Sequence, residues 1–181
     1  MLILASQSPR RSEILRQAGI AFAIRPARVD ESIRPGEAPE EYVKRVAQEK
    51  AAAIDADAAD IVLGADTVVV IDGEILGKPR DAADAIRMLE SLAGREHQVL
   101  TGISLRRGEE SLSDCAVTRV WFTPLARREI EEYVATGEPM DKAGAYAIQG
   151  LASKFIQRID GSYANVVGLP IELVSKNLRA F

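Results

Sequence analysis

Residues 61–76, IVLGADTVVVIDGEIL, set the fold class of this chain. An apolar run of strand length, broken by Gly64-Ala65-Asp66, ends at Asp72-Gly73, a tight hairpin signal leading into Glu74–Leu76. Outward from this hairpin, strand and helix patterns alternate. Upstream, Met1–Ala5 reads as a strand, Pro9–Ala18 as a helix and Ala21–Arg25 as a short strand. A polar loop, 26–37, precedes a long helix over Ala38–Ala56 with Tyr42, Val43, Val46 and Ala47 on one face. Downstream, a helix over Asp81–Leu92 precedes strands His97–Arg106 and Leu112–Phe122, joined by the polar turn Arg107–Glu110. A helical pattern over 126–136, an irregular small-residue stretch over 137–168 and a closing helix over 169–179 complete the chain. The alternation predicts an α/β fold, a mixed twisted sheet with flanking helices and both parallel and antiparallel pairing.

Composition narrows the class. The 181 residues suffice for a single domain spanning 1–181, at most two lobes sharing a core. Hydrophobic content of 47% and charged content of 28% are those of a globular protein. A net charge of −4 argues against stable nucleic-acid binding, which usually shows a basic face. One cysteine, Cys115, excludes an internal disulfide and fits a reducing compartment. No apolar run approaches the roughly 20 residues that span a bilayer, and no signal peptide opens the chain, so a cytoplasmic protein without membrane contact is expected.

Asp66 lies among Ile61, Val62, Leu63, Val68, Val69 and Val70. A carboxylate there is paired, binds a metal, or sits at an opening; a structural aspartate satisfied by backbone N–H groups is equally compatible with the residues alone. Gly64 allows a close approach of backbone or ligand. Residues 3–15, ILASQSPRRSEIL, form a second focus. Ser8 can cap a helix begun by Pro9, whose N-terminal N–H groups suit an anion, and Arg10 and Arg11 add fixed positive charge. Lys50, on the long helix, and Lys78, in the bend LGKP, bring the cations to four, enough to match a triphosphate. Glu31, with Asp66, offers carboxylates for a divalent cation or for activating water. No P-loop, GxGxxG, HExxH or GxSxG is present. His97, the only histidine, reads as structural and excludes a histidine-rich metal centre. In DKAGAYAIQG, 141–150, Gln149 can pair with a base edge and Tyr146 could stack on a ring, or the stretch could be a turn-rich cap over the sheet.

Five blocks, LASQSPRRSEIL (4–15), VLGADTVV (62–69), LGKP (76–79), HQVLTG (97–102) and DKAGAYAIQG…IDGSYANVVGLP (141–170), together resemble the Maf family of nucleotide pyrophosphatases, also called septum-formation-inhibitor-like proteins. The resemblance implies a fold related to inosine triphosphate pyrophosphatases, with two lobes around a deep groove. It also implies hydrolysis of a nucleoside triphosphate to the monophosphate and pyrophosphate, with Mg²⁺ or Mn²⁺ as cofactor, and homodimers are common in the family. Arg10, Thr67 and Gln149 resemble the branch acting on dTTP and UTP, and the family's proton acceptor maps onto Asp66. Substrate contacts then fall to Ser8, Arg10, Arg11, Lys50, Thr67, Lys78 and Gln149, and metal contacts to Glu31 and Asp66. The alternative is a nucleotide-binding regulator of septum formation without turnover. Ala147 stands where the family often has glycine, and Ala152-Ser153 where it often has glycine-alanine; a positive φ at either backbone position would strain alanine.

Overall fold

The computed structural model describes residues 1–181. Its sheet contains β1 (Leu2–Leu4), β2 (Phe22–Ile24), β3 (Ile61–Ile71), β4 (Glu74–Leu76), β5 (Glu96–Arg107), β6 (Glu110–Phe122) and β7 (Ile156–Asp160). The spatial order is β2-β1-β3-β5-β6-β7, with β4 paired to β3. β1 runs parallel to β2 and β3, while the β3–β4 and β6–β7 pairs are antiparallel. The parallel pairs need crossovers, supplied by α1 (Pro9–Gln17) and α2 (Pro39–Ala52). The expected four-residue turn after β5 tightens to Gly108-Glu109, with Gly108 at φ 55°. The expected mixed sheet with flanking helices is therefore present.

Packing divides the chain into two compact units. The first comprises Met1–Thr67, Thr101–Ala116 and Gly168–Phe181. Here α2 lies directly on the sheet backbone. A Cβ at Gly64 would stand 2.0 Å from the Ala47 carbonyl oxygen, and one at Gly102 would stand 2.3 Å from that of Val43. Gly64 thus does not break β3, as the sequence suggested; it makes room for a helix. The helix itself stops at Ala52, four residues before the expected end. Ile54 turns inward to join Ile3, Ala51 and Val62, and Arg106 donates to the Ala51 and Ile54 carbonyls. α6 (Ile171–Leu178) also belongs to this unit.

The second unit comprises Val68–Leu100 and Val117–Val167. α3 (Ala82–Leu92) starts at Asp81, whose carboxylate accepts from the Asp84 N–H, and α4 spans Arg127–Ala135. Met88, Leu89 and Leu92 pack with Val120, Phe122, Tyr133 and Phe155. The stretch 137–168 is more regular than its composition suggests. It holds short 3₁₀ turns at 138–141, 143–145 and 151–155, then β7 and α5 (Tyr163–Val167). Strain lies at neither Ala147 nor Ala152; the non-glycine residues with positive φ are Asp72 and Ala145 (φ 59°). No helix is long and apolar enough to cross a membrane.

Candidate active site

The first unit gathers most of the expected chemistry. Tyr42, Val46 and Lys50 follow one another at helical spacing on α2, and the backbone contact at Gly64 brings the last turn of that helix against β3. Lys50 Nζ stands 2.8 Å from Asp66 Oδ1 and 2.8 Å from Glu31 Oε1. The Lys50 and Asp66 side chains are each only 10% exposed, whereas that of Glu31 is 50% exposed. The buried aspartate therefore has a cationic partner, as its apolar neighbours require. The ammonium is shared with a second, surface carboxylate. Tyr42 Oη donates to the Glu31 carbonyl at 2.8 Å, and burial with the charges of Asp66 and Glu31 pushes its phenol well up, keeping it a neutral donor.

At the start of α1, Ser8 caps the helix, accepting from the Arg11 N–H at 3.5 Å, with Pro9 in the first turn. The two arginines separate in role. Arg11 is buried and donates from Nε to the Gly168 carbonyl (2.8 Å) and from Nη1 to the Ala65 carbonyl (2.9 Å) and Ser6 Oγ (3.2 Å). Its Nη2 reaches Thr67 Oγ1 at 3.1 Å. Four of its N–H groups are thereby committed to protein acceptors, so it braces β1, β3 and the segment before α6. Burial draws its guanidinium down and Asp66 counteracts this. Arg10 is half-buried and takes part in no salt bridge. Thr67 also bonds Thr101 Oγ1 at 2.9 Å.

In the second unit Lys78 and Gln149 are both exposed. The turn bearing Gln149 is fixed through its neighbours: Glu138 accepts from the Leu151 N–H with both carboxylate oxygens (3.0 and 3.1 Å) and from Tyr133 Oη. Tyr146 is buried, its hydroxyl 2.8 Å from His97 Nε2 and its ring edge-on to His97 and Phe122. It is a core residue, which removes the idea that it stacks on a ligand ring. His97 is structural, as expected; burial pulls it down to about 3, so it stays neutral.

Two carboxylates already converging on one cation are hard oxygen donors of the kind that suits Mg²⁺ or Mn²⁺, with substrate oxygens completing the shell. No group of three or more His, Cys, Asp or Glu side chains assembles in the chain. Sequence reading missed Tyr42, Arg45 and Thr101. The i,i+4 pair Arg45–Glu49 was a visible signal, but its link to Glu37 was not.

The family model of Maf-like proteins matches residues 1–181. A dTTP/UTP pyrophosphatase of Anaeromyxobacter sp. (strain Fw109-5) is 55% identical, over 98% of this chain and 88% of its own length. One of Symbiobacterium thermophilum is 54% identical, over 99% and 93%. In fold, the chain is similar to the Staphylococcus aureus Ham1 protein (TM-score 0.55, 15% identity, 99% and 98% covered). A HAM1 protein from Coxiella burnetii is also similar (TM-score 0.53, 17% identity, 99% and 98% covered).

Proposed function

The chain belongs to the family of Maf-like proteins, and from that premise we propose that it is an enzyme hydrolysing nucleoside triphosphates, dTTP and UTP foremost, to the monophosphate and pyrophosphate. The observation that carries this reading is Lys50 held between Asp66 and Glu31, in the same unit as the arginine-bearing start of α1. Asp66 accepts the proton of the water that attacks the α-phosphorus. Lys50, already an ion-pair donor, turns its ammonium toward charge developing on the leaving pyrophosphate. Arg10, Ser8 and the first N–H groups of α1 hold phosphate oxygens, with Arg11 and Thr67 fixing that corner. Catalysis of this kind rests on positioning and charge neutralisation. Glu31 and Asp66 would hold a divalent cation, which when bound supplies further neutralisation of the phosphates. Lys78 adds a phosphate contact, and Gln149 reads O4 and N3–H of uracil or thymine, which an amide complements as both donor and acceptor.

The test is pyrophosphate release from dTTP, UTP, CTP, ATP, GTP and 7-methyl-GTP with Mg²⁺ or Mn²⁺. dTTP and UTP should lead. No release from any of them would leave only nucleotide binding, and equal rates for UTP and CTP would remove the role of Gln149.

A further inference from the structure

Glu31 is the least secured member of the proposed reacting group. It lies in residues 25–38, where the backbone forms no helix or strand, and half of its side chain faces solvent. Its carboxylate nevertheless stands 2.8 Å from Lys50 Nζ. Something must hold an irregular segment against α2 closely enough to keep that distance.

The contacts converge on Arg45. Its Nη2 donates to the Ser32 carbonyl, next in sequence to Glu31, at 3.0 Å. The same nitrogen reaches Glu37 Oε2 at 2.8 Å, Nε reaches Glu37 Oε1, and Nη1 reaches Glu49 Oε2 at 3.2 Å. The Arg45 and Glu37 side chains are 14% and 9% exposed, so this pair is shielded although the segment around it is not. Its guanidinium also lies 5.4 Å from the Tyr42 ring centre, and Tyr42 Oη holds the Glu31 carbonyl. Arg34 closes the segment onto the helix through Glu49. One planar fork thus ties both ends of residues 32–37 to α2, which lysine, a point charge, cannot do.

We propose that Arg45 is a positioning residue: it docks the 31–37 segment on α2 and thereby sets the Glu31 carboxylate beside Lys50 and Asp66. This rests on the reading that Glu31 serves the hydrolysis. Arg45 touches no reacting atom, so its effect must pass through Glu31.

The experiment is a double-mutant cycle on the full chain, using Arg45→Ala, Glu31→Gln and the double variant, with UTP hydrolysis and amide hydrogen exchange as readouts. A displaced group can cost about 10²-fold in rate. Arg45→Ala should therefore lower kcat by about 10- to 100-fold with KM for UTP little changed. The double variant should be no slower than the slower single, because both remove one contribution. Exchange should quicken over residues 29–37 while β3 stays protected, and Arg45→Lys should rescue neither readout. If Arg45→Ala does not fold, Glu37→Gln removes the segment's side of the ion pair and should give the same pattern, more weakly. Rate losses that multiply, or unchanged exchange over 29–37, overturn the proposal. An inert Glu31→Gln instead overturns the role given to Glu31, and with it any catalytic part for Arg45.

Discussion

The two units meet their polar side chains in opposite ways. In the first, the buried cations are each wired to protein partners: Lys50 to two carboxylates, Arg11 to four protein acceptors. In the second, Lys78 and Gln149 are exposed, and the ordered polar groups lie behind them, in the Glu138 contacts and the His97–Tyr146 pair. A buried charge cannot be removed without leaving its partner unsatisfied, so function and stability are joined in the first unit. An exposed amide can be exchanged at little structural cost. On the role proposed for Gln149, the second unit could therefore vary its selectivity without endangering its core.

Four tests would break or sharpen that contrast. The largest effect is expected from Asp66→Asn, which keeps the shape but removes the charge facing Lys50 and with it the proposed proton acceptor. Loss of a general base typically costs about 10² to 10⁴ in rate. Retention of more than about a tenth of wild-type kcat in a pyrophosphate-release assay would place the chemistry elsewhere.

Next comes Arg11→Ala, which strands the Gly168 and Ala65 carbonyls. Each buried polar group left unpaired costs about 1–3 kcal/mol, so a stability loss of about 3 kcal/mol is expected in urea unfolding. Arg10→Ala should leave stability within about 0.5 kcal/mol of wild type while weakening activity. Equal stability losses for the two would erase the division of labour drawn between them.

The third test is one of pH. His97 is held neutral in the folded state down to about 3, whereas an unfolded chain protonates it near 6.5. The unfolded state thus binds the extra proton between these values, and stability falls as pH falls through that window, by about 1.4 kcal/mol per pH unit. The Glu37 and Asp84 carboxyls, held down at about 2 by their arginine and backbone partners, add stability that is fully present above the ordinary carboxylate range and is lost only as pH falls from there toward about 2. His97→Gln should therefore flatten the dependence of stability on pH between 6.5 and 5. An unchanged slope would mean another group titrates there.

The smallest effect concerns Gln149. A fully buried base-reading site would discriminate by several powers of ten, but an exposed amide should yield about tenfold between UTP and CTP. Gln149→Glu should reduce that ratio with no change in Tm. A falling Tm would show that the turn depends on Gln149 itself and not on Glu138.

Local signals were legible in the sequence, and distant pairings were not. Ser8 and Pro9 declare a helix start, and Asp72-Gly73 declares a hairpin, because each involves only adjacent backbone. β7 escaped notice because only Ile156 and Ile159 are apolar and its partner, β6, lies more than thirty residues earlier. Arg11 looked like a free cation beside Arg10, since nothing nearby in sequence announces that Gly168 and Ala65 will surround it. Arg106, legible only as the end of a strand before a polar turn, holds the end of α2 through two carbonyls. Asp66 was visible as a misfit among valines. That its partner would be Lys50 depended on Gly64 being a contact and not a break.

The bare patches at Gly64 and Gly102 have a consequence for how this protein can drift. Most helices ride on a cushion of side chains, and each change of volume in that cushion moves the helix by a fraction of an ångström. Here α2 meets the sheet main chain against main chain at Gly64 and Gly102, and those two points of contact hold no side chain that substitution elsewhere can swell or shrink. The spacing of Lys50 from Asp66 is therefore anchored at two points that turnover of the surrounding side chains leaves in place. Two positions too small to carry any side chain are what allow the others to change.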